Sequence, residues 1–275
     1  MFETSFHLLN WCTLTHPTTL TRLIGLPPVL LADKVFASHL TALSCHDISC
    51  PFIRINYLAS ILIKNSDIDN PIMTEKQIER IKRTIKFYRT RLATEKRIHG
   101  DYDDSAGLRY AIPELHFQIG DYKGALVYFR WFSKAFPDDT GFPFFNLLWA
   151  AAFFENNKIP EAIQKAYETA FSNTYLLELI AGRDTVQLDK SEPIGYENLE
   201  YAKQICKDFV NLITLEFQIW ISNRSEYDDF KANLNKFISI QKLIKDEPVG
   251  PMRTSLMQES YKFESQLTGR ISNVP

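Results

Sequence analysis

Cysteine is scarce. Cys12, Cys45, Cys50 and Cys206 are the four in 275 residues, too few for a disulfide framework. Glycine is thinly spread at 10 residues, and neither Gly-x-Gly-x-x-Gly nor a P-loop occurs, which argues against a backbone phosphate cradle. His-Glu-x-x-His and Gly-x-Ser-x-Gly are also missing, so neither a zincin nor a serine-hydrolase elbow is supported. The most apolar early stretch, 23–31, is broken by Gly25, Pro27 and Pro28 and falls far short of the ~20 residues a bilayer span needs. Charge of one sign is lacking too: 31 Lys and Arg face 33 Asp and Glu, a net charge of -2. That balance excludes a wholly basic nucleic-acid binder and leaves room for a local patch. No strand-period run bounded by turns stands out, so the strand–helix alternation of a doubly wound nucleotide fold is missing.

Metal and cofactor signals are equally sparse. Cys45, His46 and Cys50 are soft ligands close together, but a structural zinc site needs a second pair, and Cys12 and Cys206 are isolated. Asp101, Asp103 and Asp104 lack the twelve-residue loop and closing Glu of an EF-hand and read as a solvated acidic cap. His116, between Leu115 and Phe117, reads as a core histidine. No catalytic residue, metal or cofactor is therefore assigned. Met1-Phe2-Glu3 places an acid where a basic leader would begin, and the expected location is the cytoplasm.

What is present is apolar and helical. Hydrophobic residues make up 45% of the chain and Phe alone counts 20, enough for a substantial core. Prolines 17, 27, 28, 51 and 71 divide the first seventy residues, where helices are expected over 30–43 and 52–64 and a loop over 65–71. Thr74 and Gln77 then spell a capping box. Ile78, Ile81, Ile85, Tyr88 and Leu92 follow at helical spacing and form one stripe. The other faces carry Lys76, Arg80, Lys82, Arg83, Lys86, Arg89, Arg91, Lys96 and Arg97 against only Glu75, Glu79 and Glu95. This face is either a phosphate-contacting surface or a solvated one answered by the aspartates beyond Gly100.

Residues 106–173 carry the main organisational signal. Helix, short polar turn, helix occurs twice, with Gly120-Asp121-Tyr122 and Asn156-Asn157-Lys158 as the turns. A helical hairpin exposes an apolar side that a neighbouring hairpin covers, so such units stack. Helices are also expected over 175–181, across 196–222, over 227–245 and over 254–267, with a loop at 182–195 and a turn at 247–251.

Gly120-Asp121-Tyr122-x-x-Ala125-x-x-x-Phe129, closed by Pro137, resembles the second half of a tetratricopeptide repeat. The resemblance covers about a quarter of the chain. The second unit, with Ala150, Phe153 and Ala162, matches less closely, and Ala166 and Thr169 depart from the pattern. The Ala125–Ala162 spacing is 37 rather than about 34. Pro113 stands where a small residue is usual, Arg109 where Trp is usual, and Phe132 at another normally small place. The resemblance implies an all-α fold of stacked antiparallel hairpins in a right-handed superhelix, with helical flanks at both ends. The corresponding division is 1–72 as N-terminal flank, 73–182 as repeat core and 183–275 as a C-terminal helical region packed on the core.

The resemblance also implies a scaffold that holds a protein or peptide in a concave groove. Its groove positions become Tyr110, Glu114, Phe117 and Gln118 in the first unit, and Leu147, Ala151, Phe154 and Glu155 in the second. The alternative is a nucleic-acid-associated regulatory protein using Lys82, Arg83, Lys86 and Arg89. An enzyme site assembled across the helices is a third possibility that no motif supports.

Overall fold

A computed structural model describes residues 73–102, 104 and 106–269. The helices expected over 30–43 and 52–64, the 65–71 loop, the Cys45–Cys50 stretch and Asp103 lie outside the described residues. Among the described residues are ten α-helices and two 3-10 turns and no strand, so the architecture is all-α.

Helix α1, Glu75–His99, begins as its capping box requires. The Gln77 backbone N–H donates to Thr74 Oγ1 at 3.3 Å, and the Thr74 N–H donates to Gln77 Oε1 at 2.8 Å. Gly100 ends it in the left-handed conformation, φ 79°, its N–H reaching back to the Lys96 carbonyl. Of the predicted stripe, Ile85 and Leu92 are buried, and Ile78, Ile81 and Tyr88 are half-buried. The stripe side packs on α2, Leu108–Gln118. Asp104 caps α2, accepting from the Leu108 and Arg109 N–H groups at 2.7 and 2.8 Å.

Pro113 lies inside α2 and has no N–H to give the Arg109 carbonyl four residues back. The Tyr128 hydroxyl, arriving from α3 (Tyr122–Ala135), donates to that carbonyl at 2.8 Å. Tyr128 is fully buried, and desolvation drives its hydroxyl far above its ordinary pKa, so it remains a donor. A side chain on one helix thus replaces the hydrogen bond that proline removes from its neighbour. The reversal between the two helices uses Gly120 at φ 67°.

Helix α4, Pro143–Glu155, is buried at every position from Pro143 to Ala152. A helix apolar all round must be enclosed. It touches α2, α3, α5 (Ile159–Ser172) and α8 (Leu215–Ser225). Between α3 and α4, Phe129 stacks on Trp149 with centroids 4.8 Å apart, and Phe145 meets Phe132 at 4.7 Å. The Asn156 amide closes the α4–α5 turn, donating to the carbonyls of Ala152 and Tyr122 at 2.8 and 3.1 Å. Ala125 and Ala162 are both fully buried.

Helix α6, Leu176–Ile180, and α7, Leu199–Phe209, follow. The run expected as one helix across 196–222 is in fact two. A 3-10 turn at Val210–Leu212 ends α7, and Thr214 starts α8 by accepting from the Phe217 N–H at 3.1 Å. The extended backbone of Ile213 and Thr214 breaks the helix there, because the Thr214 hydroxyl caps better than it propagates. Helix α9, Asp228–Asp246, and α10, Pro251–Thr268, both pack on α5.

A double-mutant cycle tests the Pro113 compensation. Tyr128→Phe leaves the Arg109 carbonyl unpaired and should cost about 1–3 kcal/mol in urea unfolding. In a Pro113→Ala background the helical N–H returns, and the same change should cost measurably less. Equal costs in both backgrounds would refute the compensation.

Candidate functional site

The structure distributes the eight predicted groove positions unequally. Phe117, Leu147 and Ala151 are buried in the core and present nothing to a guest, contrary to the groove expectation. For Leu147 and Ala151 the reason is that α4 has no solvent face along this stretch, while Phe117, on α2, packs edge-on against Tyr122 of α3 at 5.2 Å. Tyr110 is half-buried, its ring edge-on to Phe145 at 5.3 Å and its hydroxyl donating to Asp139 at 2.6 Å. Burial and the Asp139 carboxylate push that hydroxyl's pKa up. Glu114 is half-buried, with burial raising its carboxyl, and exposed Gln118 donates to it at 3.4 Å.

The far end of the face is covered by the chain itself. Phe154 meets Trp220 at 5.1 Å and Phe217 at 5.6 Å, both from α8. Glu155 accepts a hydrogen bond from the Thr214 hydroxyl, and burial raises its carboxyl. Sequence reasoning missed this cover. Its signal was Thr214 as a capping residue three before Phe217 and six before Trp220.

The alternative basic residues converge better. Lys82, Lys86 and Arg89 line a cleft of about 520 Å³ together with Tyr102 and Trp131, whereas Arg83 is exposed outside it. The two rings meet edge to face with centroids 5.6 Å apart. Lys82 pairs with Glu79 at 2.9 Å, but Lys86 and Arg89 have no ion-pair partner among the described residues. Of the aspartates beyond Gly100, the two described ones do not pair with Lys86 or Arg89. Asp101 lies 3.7 Å from Lys96, and Asp104 is turned to the start of α2 and to Arg109. Cations beside accessible rings suit an anionic ligand that also carries an apolar or aromatic group.

Titratable groups elsewhere serve the fold. His116 Nδ1 lies 2.9 Å from Asp121 Oδ2, and the other Asp121 oxygen caps α3 through the Gly124 N–H at 2.9 Å. A Cβ on Gly124 would stand 2.0 Å from Asp121 Oδ2 and 2.6 Å from His116 Nδ1, so only glycine fits against this pair. His116 Nε2 is buried without a partner among the described residues. Among the described residues, no group of His, Cys, Asp and Glu side chains is arranged to hold a metal ion, and no helix is long and apolar enough to cross a membrane.

No known protein family, curated protein or solved structure matches this chain. The reading of function therefore rests on geometry and charge.

Burial lowers the His116 pKa below its ordinary value of 6.5, and the Asp121 contact only partly offsets this. The native state thus favours neutral His116 and is penalised once the unfolded chain begins to bind that proton. Its contribution is fully present above pH 6.5 and is lost as pH falls from there towards the lower native value. Urea unfolding from pH 7.5 to about 5 should show wild type losing more stability than His116→Gln. Parallel pH profiles would contradict this account.

Proposed function

We propose that the chain is a helical binding module of tetratricopeptide-like design that holds an acidic, apolar-bearing segment of a partner protein in the cleft beside α1. The observation that carries this reading is the convergence of Lys86 and Arg89, without ion-pair partners among the described residues, on a cleft lined by Tyr102 and Trp131.

The repeat design is supported by the pairing of the helices. α2 lies against α3, α3 against α4, α4 against α5, and α2 also against α4, the neighbour pattern that stacked hairpins require. Ala125 and Ala162, small in the repeat pattern, are fully buried. The departure at Pro113 carries its own compensation in Tyr128. The proposed partner surface, however, moves from the groove positions, whose far end α8 covers, to the cleft between α1, Tyr102 and Trp131 of α3.

A protein segment fits this cleft better than a long polyanion. The basic face is local, and the whole chain carries a net charge of -2. A polynucleotide contacts many phosphates along an extended basic track, whereas a short acidic segment needs only a few cations. The rings supply the apolar part of such a contact, as aromatic side chains do at interface anchors. Single-stranded nucleic acid is the second reading, favoured by the stacking surfaces of Trp131 and Tyr102.

Fluorescence anisotropy with the full chain distinguishes the two. The probes are a labelled peptide of Glu and Asp residues bracketing one Phe, and a labelled oligothymidylate of similar length. The peptide should bind, and the double variant Lys86→Glu/Arg89→Glu should weaken it by about tenfold or more. Absence of peptide binding would refute the proposal. Preferential oligothymidylate binding with a steep salt slope would replace it with the nucleic-acid reading.

A further inference from the structure

A second cavity, of about 540 Å³, lies between α5, α9, α10 and the segment 190–197. Its volume falls within the range of about 300–1,000 Å³ common for small-molecule sites. Phe171 and Phe237 supply part of the apolar wall, and Asn146, Glu197 and Glu264 are among the polar groups. It is remote in sequence from the α1 cleft and shares no lining residue with it.

The polar groups of this cavity are not balanced among themselves. Asn146 is 2% exposed, and its amide N–H donates to the Thr140 carbonyl at 3.1 Å. Its Oδ1 is buried with no hydrogen-bond partner among the described residues. An unpaired buried acceptor is costly, and a donor that reached it would remove that cost. Gly141, at φ 69°, packs against this amide: a Cβ there would stand 3.2 Å from Asn146 Oδ1 and 2.8 Å from the Phe145 ring.

The cations along the wall are Lys190 and Arg253, and both are already engaged. Lys190 Nζ lies 3.1 Å from Glu192, and the wall's Glu168 is taken by Lys165 at 2.6 Å. The Arg253 guanidinium donates to the carbonyls of Ile244 and Glu247, at 2.5 and 2.8 Å, closing the end of α9. Glu197 has no ion pair among the described residues. Burial pushes its carboxyl up from the ordinary range, with Lys190 only partly opposing. The Glu197 carboxylate and Asn146 Oδ1 are thus two acceptors of this wall to which none of its cations is paired.

We infer that this cavity binds an organic ammonium ligand of the alkyl diamine or polyamine class, one ammonium facing Glu197 and an N–H meeting Asn146 Oδ1, with the alkyl stem against Phe171 and Phe237. An aliphatic stem matches the apolar wall, and each ammonium presents three donors without an acceptor. A dicarboxylate would place like charge beside Glu197 and Glu264.

Calorimetry and thermal melting of the full chain test the assignment with cadaverine and spermidine as probes. Pentanediol matches the stem without charge, and glutarate reverses the charge. Either amine should bind and raise the melting temperature, while pentanediol and glutarate should not. Glu197→Gln keeps shape and removes the charge; circular dichroism verifies its fold, and it should weaken amine binding by about tenfold. The proposal is overturned if neither amine binds up to about 10 mM, if pentanediol binds as well as cadaverine, if glutarate binds instead, or if folded Glu197→Gln binds amines unchanged. Should that variant not fold, the wild-type series alone decides.

Discussion

The rest of the structure depends on one constraint: α4 is buried on every side along most of its length. From Pro143 to Ala152 every residue is buried, and each large apolar side chain taken out of water contributes about 1.5–3 kcal/mol. Such a helix has to be surrounded. α2, α3, α5 and α8 all pack on it. The aromatic layer of Phe129, Phe132, Phe145 and Trp149 joins α3 and α4, and interlocked rings of this kind tolerate little change in volume.

This enclosure decides where binding can occur. A hairpin stack with an open inner face would offer Leu147, Ala151 and Phe154 to a guest. Here Leu147 and Ala151 belong to the core, and Phe154 already has Phe217 and Trp220 against it. The two surfaces proposed to bind ligands are the basic, ring-lined cleft beside α1 and the cavity bounded by α5, α9 and α10, to which α4 contributes only Asn146. Their chemistries are opposite, one offering cations and the other acceptors.

Much of the helical framework was legible in the sequence because it is written in local signals. Thr74 and Gln77 mark the start of α1 through contacts three residues apart, and Gly100 marks its end through its own backbone conformation. The turns at Gly120-Asp121 and Asn156-Asn157 are equally local. What was not legible depends on distant partners. The hydroxyl of Tyr128 makes Pro113 tolerable by reaching the Arg109 carbonyl, nineteen residues away in the chain. The groove positions were assigned from repeat register alone, which says nothing of α8 lying some sixty residues further on. The break at 210–214 was hidden by apolar spacing that continues across it, while the deciding contribution came from a capping hydroxyl. The basic face was recognised from composition; of the aspartates expected to answer it, Asp101 meets only Lys96 at its end and Asp104 turns to the start of α2 and Arg109.

Native-state hydrogen exchange tests the enclosure of α4 most directly. The account predicts that amides in the middle of α4, in α3 around Phe129 and in α8 around Ile221 share the slowest exchange and open together with global unfolding. Exchange in α8 faster by orders of magnitude, with α4 still protected, would mean that the cover detaches on its own and that the inner face is an open groove after all.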